Sequence, residues 1–397
     1  VSAEYTNNHY VPQWYQRQFL PAEPSHRELY VLDLKPESFR DSRGVRHRRK
    51  ALRRTGTRKC FAIDDLYTTR FGGIESRELE RVFFGNVDTL GKTAVEYFAE
   101  FDHDSASGDA LQNLMMYMST QKLRTPKGLD WLVSQTRSRE RGDVLAHLGA
   151  LQTAYGAIWA ECVWQIADLS ESPTKLIVSD HPVTVYNRAC APGHPACKGF
   201  NDPDIRLHAT HTLFPLSSER LLILTNRSWA CNPRRPPVEP RANPDLFRGA
   251  IFNFLEIQTR RSLSEQDVLR VNCVIKRRAH RYIAAAREEW LYPERHVKFN
   301  WAAVGSDHLF MPDPRSLQPG AEMVMGYAGG RTEAMDTFGR RPNDREFGQE
   351  ARSAQERSAH SRWCEEFERL FGPRRRGSSW EDRELDERTR RDGATQG

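Results

Sequence analysis

The chain has 397 residues, 38% of them apolar, and a formal charge of +6 at neutral pH. That length can bury a large core, as one big domain or as two to three ordinary ones. No apolar run reaches the roughly 18 residues of a membrane helix, and no basic-then-apolar leader opens the chain. Seven scattered cysteines, an odd number, argue against a disulfide framework and point to a reducing cytoplasm.

In chain order, Pro12 starts a short helix that runs to Phe19 and carries Trp14 and Tyr15. Residues 28–34, Glu-Leu-Tyr-Val-Leu-Asp-Leu, alternate and read as a strand. Residues 40–59 are a basic stretch with few apolar side chains and read as a loop. A short strand returns near Phe61. From Ile74 to Phe101 apolar residues recur at helical spacing, and Gly85 and Gly91 leave room for a bend. Further helices are expected over 109–123 and from Pro126 onward. Residues 156–168 and 175–187 read as two strands of one hairpin, although Ala and Glu also allow the first to be a helix end. Residues 210–226 form a second hairpin turning at Ser217 and Ser218. Helices follow over 244–258 and 265–290, the latter capped by Ser264 with Asp267 three residues on. Residues 322–338 suggest a last short hairpin, and a helix spans 344–371. Strands in adjacent pairs, rather than alternating with helices, predict an α+β fold: a largely helical body packed on antiparallel strand pairs. The expected organisation is one composite domain over 1–372 and a charged, disordered tail over 373–397.

Polar residues at element ends are the candidates for chemistry. His9 and Tyr10 precede Val11-Pro12, and an imidazole there serves as base, acid or metal ligand, or simply ties down a loop. Arg124 closes a helix just before Thr125-Pro126, where a guanidinium either satisfies helix-end carbonyls or presents a planar fork to phosphate. Ser179, Asp180 and His181 end the apolar strand Leu176-Ile177-Val178 ahead of Pro182, placed either to orient a base or to cap local amides. Arg281 sits in a basic run on the helix expected over 265–290. Cys190, His194 and Cys197 share one loop at an unusual spacing, and Cys231 or His208 is the candidate fourth ligand that a structural zinc site would need. Free thiols are the expectation, and no metal site is assigned. Phosphate-loop, dinucleotide-fingerprint, zincin and hydrolase-elbow patterns are absent.

Six blocks occur in order: His-Tyr-Val-Pro-Gln-Trp-Tyr-Gln-Arg-Gln-Phe from His9, Asp65-Leu-Tyr-Thr, Gln121-Lys-Leu-Arg-Thr-Pro, Leu176-Ile-Val-Ser-Asp-His-Pro-Val, Phe214-Pro-Leu-Ser-Ser-Glu-Arg-Leu-Leu-Ile-Leu and Ala279-His-Arg-Tyr-Ile-Ala-Ala-Ala. Together they resemble the bacterial and fungal family known as domain of unknown function 4238, over about residues 8–290. In that family the Ser-Asp pair is usually followed by Asn, where this chain has His181. The segments 40–59 and 187–209 also depart from it, and no function is placed on them here. The resemblance implies a shared polar site at His9, Arg124 and Asp180.

Two functional expectations result. The first is a cytoplasmic phosphodiester hydrolase acting on nucleic acid. Its catalytic set is His9, Asp180 and Arg124, and its substrate contacts are Tyr10, Ser179, His181 and Arg281. The alternative is a non-enzymatic module that binds nucleic acid or another protein. No cofactor is specified, and no membrane partner.

Overall fold

The computed structural model describes residues 7–21, 23, 27–64, 66, 85–102, 106–135, 141–197, 202–241, 257–306, 308–317, 322–326, 330, 332–336, 340–345, 347 and 349–373. The expected tail beyond Pro373, the helix over 74–84 and nearly all of the helix over 244–258 lie outside the described residues. Only Ile257 and Gln258 of that last segment are described, and they begin a strand rather than end a helix.

The fold is α+β. A five-stranded sheet is built from β7 (Cys162–Asp168), β9 (Thr184–Tyr186), β10 (His211–Pro215), β11 (Arg220–Asn226) and β12 (Ile257–Ser262). Its order is β12-β7-β11-β10-β9, antiparallel throughout except for the parallel pair β12–β7. β7 is buried from Cys162 to Ala167, which its near-continuous apolar run predicts for a strand covered on both faces. β10 and β11 form the expected hairpin.

A four-stranded sheet lies in the order β5-β2-β13-β8, from β2 (Glu28–Asp33), β5 (Leu52–Gly56), β8 (Val178–Ser179) and β13 (Tyr282–Ala285). Here two expectations are corrected. The segments 156–168 and 175–187 do not pair with each other. The first is the end of a helix, Arg141–Ala160, followed by β7. The second divides at Asp180-His181-Pro182, so that β8 pairs with β13 while β9 pairs with β10 of the other sheet. A proline without an N–H, preceded by a residue it holds extended, suits a chain leaving one sheet for another. The second correction concerns 265–290. The helix Glu265–Arg278 stops at Ala279, and the chain turns directly into β13. Its start is as expected. Ser264 Oγ accepts from the Asp267 amide at 3.3 Å, and the Asp267 carboxylate accepts from the Ser264 amide at 3.2 Å.

The helices, in chain order, are α1 (Gln13–Arg17), α2 (Gly85–Ala99), α3 (Gly108–Arg124), α4 (Pro126–Gln135), α5 (Arg141–Ala160), α6 (Arg227–Cys231), α7 (Glu265–Arg278), α8 (Trp301–Ser306) and α9 (Glu350–Phe371). α2 passes through Gly91 as one helix rather than ending in a bend there. The glycine is a contact point: a Cβ on it would lie 2.4 Å from Tyr117 Cδ2 on α3. α1 is core. Tyr15 is fully buried, stacks on Phe214 at 5.4 Å and donates its hydroxyl to the Pro215 carbonyl at 2.5 Å. One apolar cluster runs from Tyr10 to Phe310 through the helices and both large sheets.

The segment 40–59 is not a loop. β3 (Ser38–Arg40) and β4 (Arg46–Arg48) form an exposed hairpin, and β5 then adds to the edge of the four-stranded sheet. Asp41 closes the hairpin turn by accepting from the amides of Arg43 and Val45, both at 2.9 Å, with Gly44 at φ +79°. β14 (Glu322–Gly326) and β15 (Thr332–Asp336) pair as the short hairpin expected there.

Candidate functional site

The break between α3 and α4 is where the sequence motifs meet. Thr125 is extended (φ −70°, ψ 157°) and Pro126 opens α4, so the side chains before and after the break converge. Thr125 Oγ1 accepts from the Gly128 amide at 3.2 Å, capping α4, and hydrogen-bonds to His181 Nδ1 at 2.7 Å. Gly128 is required here, since a Cβ would sit 2.2 Å from the Lys122 carbonyl oxygen. Lys122 Nζ lies 3.3 Å from His181 Nε2 and donates to Asp202 at 3.0 Å. Lys127 Nζ donates to the same carboxylate at 2.7 Å and to the Arg278 carbonyl at 2.9 Å.

The electrostatics of this group follow from its burial. Burial disfavours the Asp202 anion, but Lys122 and Lys127 outweigh that and hold its carboxyl well below the usual range. Burial pulls the Lys127 ammonium down. Burial, then the Lys122 charge, brings His181 to about 3, so the ring is neutral at physiological pH. The arrangement is two ammonium groups on one carboxylate, with an uncharged imidazole between two elements.

The residues singled out from the sequence each have partners in the structure. Asp180 is fully buried, and its carboxylate accepts from three consecutive amides: His280 at 2.9 Å, Arg281 at 2.7 Å and Tyr282 at 2.8 Å. Burial pushes its pKa up, against those three donors. Ser179 Oγ accepts from the His181 amide at 3.2 Å. Arg124 is fully buried. It donates to Asp88 at 2.7 Å through Nη1 and to Gln121 Oε1 through both Nε and Nη2, and it lies over the Tyr117 ring at 5.6 Å. His9, on β1 (Asn7–His9), which pairs with β6 (Ala62–Asp64), places Nε2 3.0 Å from the Arg58 carbonyl. Tyr10 is buried, and burial followed by the Asp180 charge raises its phenol well above the ordinary value. Its carbonyl accepts from Gln121 Nε2 at 2.8 Å. Arg281 is not on a helix as expected. It precedes β13 and forks onto Asp33 at 3.1 and 2.9 Å, with Glu37 at 3.0 Å; these bonds raise its pKa.

His9, Arg124 and Asp180, the expected reacting set, each hold partners of their own, His9 the Arg58 carbonyl. Asp180 spends both oxygens on main-chain amides, and Arg124 serves Gln121 and Asp88. What the structure brings together is a relay. Gln121 joins Tyr10 to Arg124, Thr125 and Lys122 join the break to His181, and Asp180 joins that segment to β13. Sequence reasoning missed Gln121, Lys122, Thr125, Lys127 and Asp202. Lys122 and Lys127 flank the break in a chain with only ten lysines, which was the available signal. Asp202, in a loop, had none. No group of three or more His, Cys, Asp or Glu is arranged for a metal ion among the described residues, and none of their helices is long and apolar enough to cross a membrane.

A second feature lies on the surface. Residues 37–59 hold ten Lys and Arg against two carboxylates, a net of +8 where the whole chain carries +6, so the remainder sums to −2. The hairpin side chains from Arg46 to Lys50 are all exposed, as are Arg40, Arg43, Arg53 and Arg54. Arg43, Arg49 and Arg54 approach carboxylates of Asp41, Glu37 and Glu28 at 3.3–3.9 Å. Phe39 is 49% exposed and stacks on His47 at 5.5 Å across the hairpin.

The family model described as "Protein of unknown function (DUF4238)" matches residues 149–289. The resemblance to that family is borne out over this stretch, which contains β7 to β13 and both Asp180 and Arg281. No curated protein and no solved structure matches the chain.

Proposed function

We propose that the protein is a non-enzymatic nucleic-acid-binding module that holds the phosphate backbone with the arginine hairpin β3–β4 and strand β5. The observation that carries this reading is the segregation of charge: +8 over residues 37–59, the exposed hairpin together with β5 and the turn after it, where the rest of the chain sums to −2. Phosphate contacts by Arg and Lys release condensed counterions and supply sequence-independent affinity. A two-stranded ribbon has the width to enter a major groove, and the Phe39–His47 stack offers a ring face to an unpaired base. The buried polar network serves to fix the scaffold behind the hairpin. The phosphodiester-hydrolase reading depends on Asp180 and Arg124 being available to a substrate, and their bonds to main chain, Gln121 and Asp88 weigh against it.

The test is fluorescence anisotropy with short labelled duplex and single-stranded DNA and RNA over a series of salt concentrations. Binding should weaken steeply with salt. Removing Arg40, Arg46, Arg48 and Lys50 together should reduce the log–log salt slope on duplex DNA by up to about four. No binding at low salt, or a quadruple variant with unchanged affinity and slope, overturns the reading. Running the same mixtures on denaturing gels, with and without a divalent ion, separates binding from cleavage. Cleavage that Asp180→Ala abolishes would restore the hydrolase.

A further inference from the structure

Cys197 differs from the other cysteines in its surroundings. Cys60, Cys162, Cys231 and Cys273 are buried thiols that burial pushes up to about 12, and Cys364 is partly buried and pushed to about 11. Cys197 lies 3.6 Å from Nη1 of Arg278, whose Nη2 donates to the Cys190 carbonyl. Both cysteines are buried, and the Cys197 sulfur lies 3.7 Å from the Cys190 carbonyl oxygen and 3.5 Å from that of Ala191. The neighbouring Cys190 thiol, opposed by burial and aided by Arg278, lowers Cys197 to about 6, and Cys190 is raised in turn. The two are brought together by successive tight turns: the Cys190 amide donates to Asn187, His194 to Ala191 and Cys197 to His194, with Gly193 at φ +86°. Arg278 is fully buried and packs over Trp301 at 4.7 Å, so it is a fixed cation rather than a swinging one. Its carbonyl receives Lys127, and the neighbourhood therefore holds Lys122, Lys127 and Arg278 beside the Asp202 carboxylate. A thiolate at Cys197 supplies a second negative charge beside them.

We propose that Cys197 is a peroxide-reactive thiolate and Cys190 its resolving thiol, so that the loop 190–197 is a site of reversible disulfide formation. The Cys197 thiolate attacks one oxygen of hydrogen peroxide. An S–O bond forms, the O–O bond breaks, and hydroxide leaves to take up the proton that Cys197 released to solvent, giving water. The Cys190 thiol then attacks the sulfenic sulfur. The S–S bond forms, the S–O bond breaks, and the Cys190 proton leaves with the hydroxyl as a second water. Two thiols are oxidised by two electrons and one peroxide is reduced to two waters. Arg278 stabilises the attacking anion, as cations do at reactive cysteines.

The reduced protein is treated with limiting hydrogen peroxide, alkylated, digested and mapped by mass spectrometry. The expected result is a linked 190–197 peptide that has lost two hydrogens, formed before Cys364 is oxidised. Cys190→Ser should leave a sulfenic acid on Cys197 that dimedone captures, whereas Cys197→Ser should leave Cys190 unmodified. The unaltered protein supplies a test independent of variant folding. Between about pH 7 and pH 8.5 the iodoacetamide rate at Cys197 should be nearly flat, where an ordinary thiol rises roughly tenfold per unit. Oxidation of Cys364 while Cys190 and Cys197 remain alkylatable, or a Cys197 rate that climbs like an ordinary thiol's, overturns the proposal.

Discussion

Asp180→Ala removes the acceptor for three consecutive amides at the start of β13. Each bond is charge-assisted, and stranding a buried donor costs roughly 1–3 kcal/mol. His280, Arg281 and Tyr282 are only partly buried, so water relieves part of that cost, and the low end applies. Three donors at about 1 kcal/mol each give a loss of about 3 kcal/mol. Asn at the same position keeps one acceptor oxygen but turns an NH2 group toward donors, so Asp180→Asn should recover little. The readouts are the urea midpoint and amide hydrogen exchange. Exchange should accelerate first at His280, Arg281 and Tyr282, then along β13, which pairs with both β2 and β8. An Asp180→Ala protein within about 0.5 kcal/mol of the parent, with unchanged exchange at those amides, would refute the claim that the carboxylate holds the strand.

Three buried histidines make a second prediction. His181, His208 and His211 are each brought to about 3, by burial first and then by Lys122, Arg235, and Arg188 with Arg261 respectively. Between the unfolded value near 6.5 and about 3 the unfolded chain binds more protons, so stability falls as pH falls through that window. Each histidine contributes up to about 1.4 kcal/mol per pH unit. Urea midpoints at several pH values should show this slope, and His181→Gln should make it shallower. Asp202→Asn leaves two buried ammonium groups without their counter-charge and should cost about 3–5 kcal/mol by urea titration; adding Lys122→Met and Lys127→Met should recover much of it. Gly128→Ala and Gly91→Ala should each destabilise by about 1–3 kcal/mol despite alanine's better helix propensity, because the new Cβ meets backbone oxygen at one site and the Tyr117 ring at the other. Thermal melts check both.

Local signals suffice where local physics decides. The Ser264–Asp267 capping box, the turn at Ser217-Ser218 and the opening of α4 at Pro126 are written in a few neighbouring residues. The local pattern misleads where distant contacts override it. Residues 279–290 keep an apolar spacing compatible with helix, yet the Asp180 carboxylate, a hundred residues away, captures the amides of 280–282 and commits the chain to a strand. The hairpin expected across 156–187 obeys the rule that neighbours pair, but β7 finds β11 and β12 instead. The hairpin turn around Asp41 and Gly44 was legible, but the density of arginine masked it. Polar residues at element ends did mark something other than core. Which residue each one grips, Gln121 for Arg124 or Thr125 for His181, depends on tertiary proximity that spacing does not encode.

β5 is an outer strand of its sheet, with one row of main-chain groups turned away from β2. Such a margin invites a strand from another molecule, and the charges of Arg53, Arg54 and the neighbouring cations oppose pairing with a second copy. A polyanion laid along that margin would cancel the repulsion, so saturating ligand should raise the tendency of the molecules to self-associate, and excess salt should do the same with no ligand present.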